Sequence, residues 1–317
     1  MAVNEARVGF VGCGVHAREV LLPAVRGAGM ELAAVCDLDK RLAQRVTRRF
    51  GAFRAYQDVG KMVEEMDLDA LLVCGPPEMH VEAAETGLRA GCHVWTEMPA
   101  GMTSREVAEI AELAAERKVI AQPGLMLRFA PSYRRLREIV TGEEFGETRS
   151  IEVTWWPPRM HGHDDPVAFD LPHAMDLVRF IGGEVRGLAV ARGGEDGPLS
   201  VALELASGAV GTVSFGGGAG CPRERVEVAG AVAAVGVEDR QTVTLRRGAG
   251  EAASVWAARL WSGEGPERLQ GFLPEMEHFA AAVSGAEKPR VTMRDAAAAL
   301  HLAELAATGM GEMATVE

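Results

Sequence analysis

The sequence predicts an α/β chain made of two successive sheets. A doubly wound parallel sheet with helices on both faces spans residues 1–124, and an α/β domain with an open, mostly antiparallel sheet spans residues 125–317. Three observations predict this. In the first part, short aliphatic runs alternate with stretches of helical spacing. A glycine loop separates the first such run from the first helix. After Gly124 longer runs of alternating polarity take over.

The strand-like runs of the first part are residues 7–11, 32–36, 70–74, 93–96 and 119–122, with helical spacing at 17–27 and 104–117 between them. Strand, helix and strand repeated in this way make a parallel sheet. Gly27 and Gly29 stop the first helix, and Thr103-Ser104 ahead of Glu106 starts another. In the second part a helix at 131–140 leads into strands at 148–155, 200–205, 209–215, 225–228 and 242–246, with Ser207-Gly208 as a hairpin turn. Residues 273–284 and 292–307 read as helices. The last is apolar on several sides and is a candidate to pack back on the first domain.

At ~100–200 residues per domain, 317 residues leave room for two cores. Charged residues at 25% and hydrophobic ones at 48% sit near globular averages, which excludes a disordered chain or a rod. Forty-five acids against 33 bases give a net charge of -12, which disfavours nucleic acid and anionic membrane as partners. No apolar stretch reaches the ~20 residues of a membrane helix, and the run at 8–11 starts too early for a signal peptide, so a cytoplasmic protein is expected. Five separated cysteines without a C-x-x-C pair read as small buried hydrophobes, and no metal site is expected.

Gly12-Cys13-Gly14-Val15-His16-Ala17 reads G-x-G-x-x-A between a strand and a helix, the one context where that motif carries meaning. The first glycine permits a tight turn, and the second lets backbone approach a pyrophosphate at the helix N-terminus. Asp37, at the end of the second strand, stands where a carboxylate holds a ribose diol, so a dinucleotide site is expected, with NAD preferred over NADP. Lys40 and Arg41 are the nearby cations that would argue the other way. Two further segments, Gly75-Pro76-Pro77-Glu78-Met79-His80 and Gly91 to Pro99 with Glu97-Met98-Pro99 at its end, follow parallel strands, where open α/β sheets place ligands.

These segments, with Arg128-Phe129 and Pro131, residues 142–146, the 207–208 hairpin, Phe279 and the last helix, resemble the Gfo/Idh/MocA family of nicotinamide-dependent oxidoreductases over nearly the whole chain. The resemblance implies a Rossmann half, a second half whose open sheet lines the substrate site, NAD or NADP, a sugar or cyclitol substrate, and a homo-oligomer, dimer or tetramer. It also implies nucleotide contacts from Gly12, Gly14, Val15, His16, Asp37, Gly75, Pro76, His80, Glu97 and Met98.

Typical members carry E-K-P and D-x-x-x-H-x-x-D. Here the lysine is Met98, and the second segment is Asp170-Leu171-Pro172-His173-Ala174-Met175-Asp176, whose leading Asp sits one place too close to His173. A thioether carries no proton and no charge, so it cannot do the work of an ammonium beside a reacting hydroxyl. His173 is the leading acid-base candidate, with Asp170 and Asp176 as further catalytic candidates; Asp170 also reads as a helix N-cap. Arg128, Trp155, His161 and His163 are substrate-binding candidates, Arg128 reading equally as an interdomain salt bridge. The alternatives are an enzyme that keeps NAD bound for a redox-neutral elimination, hydrolysis or epimerisation, and a non-catalytic NAD-binding sensor.

Overall fold

The computed structural model describes residues 6–157, 166–194, 197–216, 222–248, 252–257, 265–308 and 314–316. The chain divides into two compact units, Met1–Met126 with Gly271–Ala297, and Leu127–Gln270 with Ala298–Glu317.

The first unit begins with β1 (Arg7–Val11), a π-helical turn (Ala17–Leu21), α1 (Leu22–Gly27), β2 (Glu31–Cys36), α2 (Lys40–Phe50), β3 (Arg54–Tyr56) and α3 (Val59–Glu65). It continues with β4 (Ala70–Val73), α4 (Pro77–Arg89), β5 (His93–Thr96), α5 (Ser104–Arg117) and β6 (Ala121–Pro123). The strands form one parallel sheet in the order β3-β2-β1-β4-β5-β6. Helices cover both faces of such a sheet, so its strands are buried on both sides and read as unbroken apolar runs. β4 is buried along its whole length, and β1 and β2 along all but their first residue.

Local chemistry sets the helix ends. The Asp39 side chain accepts the N–H groups of Arg41 and Leu42 to start α2, and Thr103 and Glu106 close a reciprocal capping box at α5. Strand order reverses between β1 and β4, and the crevice at the carboxyl ends of these strands is where an open α/β sheet takes a ligand.

The second unit carries α6 (Pro131–Val140), β7 (Thr148–Trp156), α7 (Pro166–Phe169), α8 (Leu171–Gly182), β8 (Val185–Arg192), β9 (Leu199–Leu205) and β10 (Val210–Phe215). Then come β11 (Arg223–Gly230), β12 (Ala233–Glu238), β13 (Thr242–Arg247), β14 (Ala252–Ala257) and α9 (Pro266–Leu269). After these, α10 (Phe272–Val283) belongs to the first unit, the unit boundary falls within α11 (Met293–Thr308), and β15 (Ala314–Thr315) closes the chain's described part.

Among the described residues the second sheet has nine strands, β14-β13-β12-β11-β7-β10-β9-β8-β15, antiparallel except for the β7–β10 pair. β9 shows why one face is covered: Leu199, Val201, Leu203 and Leu205 point inward, and Ser200, Ala202 and Glu204 outward. α6 and α8 lie on the covered face, with Gly182 of α8 against Leu205 and Ile151.

Residues 271–297 cluster with the first unit, whereas the sequence reading leaves 273–284 in the second. The reason is apolar complementarity. Leu273 reaches to where a Cβ on Gly27 would stand, and the Phe272 ring meets His16 edge-on at 5.5 Å.

Candidate functional site

On the first unit the predicted nucleotide residues gather on the loops that follow β1, β2, β4 and β5. Gly12 has φ +88°, its N–H donates to the Cys36 carbonyl at 2.8 Å, and a Cβ there would sit 1.6 Å from the Cys74 carbonyl oxygen. Only glycine fits. Gly14 is the opposite case: no heavy atom lies within 4 Å of where its Cβ would be, and its φ is ordinary. Its side-chain space is open, on the exposed approach to the first helix beside exposed Val15.

The Asp37 carboxylate accepts the N–H of Cys13 at 2.7 Å with one oxygen and that of Asp39 at 2.8 Å with the other, tying the glycine loop to the end of β2. Arg18 donates its Nε–H to the carbonyls of Cys13 and Gly14, closing the same turn from the helix side. An open cradle at a helix start with a carboxylate beside it fits a dinucleotide.

Gly75 and Pro76 form the loop before α4, and His80 fixes it. Fully buried His80 donates Nδ1–H to the Pro99 carbonyl at 2.8 Å and accepts the Gly75 N–H on Nε2 at 3.0 Å. Burial pulls its imidazole below the ordinary range, although the backbone carbonyl and Glu97 resist, so the ring stays neutral in this tautomer. With both nitrogens committed and no exposed surface, His80 acts on a ligand only through the Gly75 and Pro99 loops it joins.

Glu97 receives the Met98 N–H on one oxygen and faces His16 Nε2 at 3.2 Å with the other. Burial is the largest influence on His16 and pulls its imidazole down, but the hydrogen bond and charge of Glu97 outweigh it and the net shift is upward. Met98 is 7% exposed, a buried thioether beside this pair. Cys13, Cys36 and Cys74 are buried nearby, and burial pushes the Cys13 thiol up to about 12, so it stays protonated.

The second unit brings together Trp155 of β7 with Asp170 and His173 at the start of α8. The indole and imidazole rings are near parallel, 13° apart, with centroids at 6.4 Å. The His173 backbone N–H donates to the Asp170 backbone carbonyl at 3.1 Å, a first-turn bond of α8. Asp170 occupies the N-cap position of α8 yet makes no side-chain cap bond. Its backbone is already helical (φ −101°, ψ −34°) because α7 runs straight into α8, so the carboxyl does not swing onto the first-turn N–H groups. Burial instead raises that carboxyl to about 6, with the Arg240 guanidinium pulling it back.

Asp176, three residues after His173 on α8, has a charged partner of its own. Buried Asp176 is held by Arg128 through two bonds, 2.8 Å to Nε and 2.5 Å to Nη2, within the second unit. Two donors of Arg128 are thereby engaged inside the second unit, and the pair anchors α8. His161, His163 and Cys221 lie outside the described residues.

Sequence reasoning missed Arg240, Glu224 and Tyr133. Arg240 at the β12–β13 turn pairs with Glu224 of β11 (2.6 Å), which also accepts the Tyr133 hydroxyl of α6 at 2.5 Å, and its guanidinium carbon lies 5.4 Å from the Trp155 ring centroid. The available signal was Asp239-Arg240-Gln241, three polar residues between strands. It went unread because β12, Ala-Ala-Val-Gly-Val-Glu, is weak in β-formers.

Among the described residues there is no cluster of three or more metal-ligand side chains, and no helix is long and apolar enough to cross a membrane.

Residues 6–125 match the family model GFO_IDH_MocA, an oxidoreductase family with an NAD-binding Rossmann fold. The inositol 2-dehydrogenase of Rhizobium meliloti (strain 1021) is 25% identical over 329 residues, spanning 96% of this chain and 97% of its own. The D-glucoside 3-dehydrogenase of Escherichia coli (strain K12) is 31% identical over 148 residues, 46% of this chain and 42% of its own. A dehydrogenase from Chromobacterium violaceum shares the fold with a TM-score of 0.85 at 23% identity, covering 96% of this chain and 94% of that one. With the six-stranded parallel sheet and its glycine loop, the match shows that residues 6–125 carry the NAD-binding Rossmann fold of the GFO_IDH_MocA oxidoreductase family, and similarity to dehydrogenases extends over nearly the whole chain.

Proposed function

We propose that the protein is an NAD-dependent oxidoreductase of a polyhydroxylated small molecule, a sugar or cyclitol, with Asp170 and His173 handling the proton of the reacting hydroxyl. The observation that carries the nucleotide half is Gly14, a glycine with neither a positive φ nor a neighbour to avoid, whose missing side chain serves only something that approaches the loop from outside. The chemistry supplied by NAD when bound is acceptance of two electrons.

Asp37 sets the preference for NAD: its carboxylate repels a 2′-phosphate, and neither Leu38 nor Asp39 offers a cation there. Gly75, Pro76, Glu97 and Met98 line the nucleotide's reacting end in this reading. The sugar or cyclitol class follows a relative matched over 97% of its length, an inositol 2-dehydrogenase.

On the second unit, a carboxyl raised to about 6 is able to exchange a proton near neutrality, and the imidazole three residues on carries ring nitrogens that donate and accept, both of which a buried methionine lacks. Trp155 gives the imidazole a flat apolar neighbour. Met98 in place of a lysine favours one second reading, an enzyme that retains its nucleotide for a redox-neutral reaction.

The deciding experiment is calorimetric titration of the purified protein with NAD and NADP, followed by turnover on myo-inositol and a panel of aldoses. Exchangeable NAD bound more tightly than NADP, reduced only with polyol present, is the expected result. His173→Ala should then lose about 10²-fold in turnover at unchanged NAD affinity. Tighter NADP binding would remove Asp37 from its assigned role, and nucleotide that never dissociates would move the reading to the redox-neutral enzyme.

A further inference from the structure

We propose that Arg240 is a positioning residue for Asp170 and His173, holding Trp155 beside the imidazole and setting, through its pairing with Glu224, how much positive charge Asp170 meets. The inference rests on the reading of Asp170 and His173 as the proton-transfer pair.

The backbone gives the first argument. Asp239 and Arg240 have φ +48° and +58°, and the Gln241 N–H donates to the Glu238 carbonyl at 3.0 Å, so the two residues form the centre of a tight hairpin turn in which both are left-handed. Such turns are ordinarily filled by Asn and Gly, and an arginine there is strained. Strain of this kind persists where surrounding interactions over-determine it. Those interactions are identifiable: Arg240 Nε donates to both Glu224 oxygens, at 2.9 and 2.7 Å, and Nη2 lies 2.6 Å from one of them.

The second argument is what the guanidinium reaches. Its carbon stands 5.4 Å from the Trp155 ring centroid, and the same indole lies nearly parallel to His173. One side chain thus touches the ring that flanks the imidazole and places charge near the carboxyl at the start of the same helix. Among the described residues, the charged and titratable groups around this point include Tyr133 of α6, His173 of α8, Glu224 of β11, and Asp239 and Arg240 of the turn. Among these, Arg240 is what pulls the Asp170 carboxyl down against burial, and Glu224 neutralises part of its charge.

Removing Arg240 and removing Glu224 should therefore move Asp170 in opposite directions, the first by taking away the cation and the second by freeing the charge Glu224 neutralises. The experiment is a pH titration of the Asp170 side-chain carboxyl by ¹³C NMR in the full chain, with the resonance assigned through Asp170→Asn. In the parent the midpoint is expected at about 6. Arg240→Gln should move it up by about half a unit or more, Glu224→Gln should move it down, and Arg240→Lys, which keeps the charge, should restore a midpoint near the parent's. Shifts in the same direction for Arg240→Gln and Glu224→Gln, or midpoints unchanged in both, would overturn the proposal. Should Arg240→Gln fail to fold, the sign of the Glu224→Gln shift still decides. The readout needs neither nucleotide nor turnover. If the midpoints move as stated while Asp170→Asn retains full polyol turnover, Arg240 still governs this carboxyl, and the assignment of Asp170 to proton transfer is what falls.

Discussion

Two glycines one residue apart do different jobs, and substitution separates them. Alanine at Gly12 would place a Cβ 1.6 Å from a backbone carbonyl at φ +88°, so Gly12→Ala should cost about 3 kcal/mol or more in denaturant unfolding, or prevent folding. Gly14→Ala meets nothing within 4 Å. Its stability should stay within about 0.5 kcal/mol of the parent while NAD affinity falls at least about tenfold by calorimetry. A Gly14→Ala protein binding NAD normally would mean that nothing approaches the loop there. Both glycines were legible from the motif and its place between strand and helix. What was not legible is which acid next to the second-unit histidine is available: Asp170 and Asp176 flank His173 symmetrically in the sequence, and only the Arg128 fork tells them apart.

At the scale of elements, α8 starts without the cap its sequence advertises, and this has a pH signature. The Asp170 carboxyl titrates at about 6 in the folded protein against an ordinary 3.8, so the fold favours its protonated form. Ionising it costs nothing below pH 3.8, costs progressively more as the pH rises, and costs the full amount above about 6. Asp170→Asn should therefore stabilise the protein by on the order of 2 kcal/mol above pH 6, with the gain gone below about pH 4, while turnover falls. Melting temperatures across that range check it, and a gain independent of pH would deny the raised carboxyl. Elements with strong alternation or clear caps, such as β9 and α5, were readable in advance, because one buried face or one capping box specifies them locally. β12, and with it the turn carrying Arg240, was not: alanine and glycine owe their strand geometry to pairing with β11 and β13, which no local window contains.

For the molecule as a whole, two units with separate cores share one chain, and NAD is assigned to one of them. A ligand that binds only the folded form stabilises it by about 2.7 kcal/mol at a hundredfold excess over Kd. Scanning calorimetry with NAD should therefore resolve two components, of which the one for the first unit shifts upward and the other stays. One transition moving as a whole would show that the two units unfold together. The return of residues 271–297 to the first unit also bears on how the protein is born. The six strands of the first unit emerge from the ribosome within its opening 126 residues, yet Leu273 and Phe272, which close the outer surface of its first helix, arrive only after residues 127–270 of the second unit have been synthesised. An N-terminal domain ordinarily matures first during synthesis. Here the nucleotide unit must wait with part of its apolar surface bare, so the nascent chain is most exposed to chaperones and proteases during the interval in which the second sheet is being made.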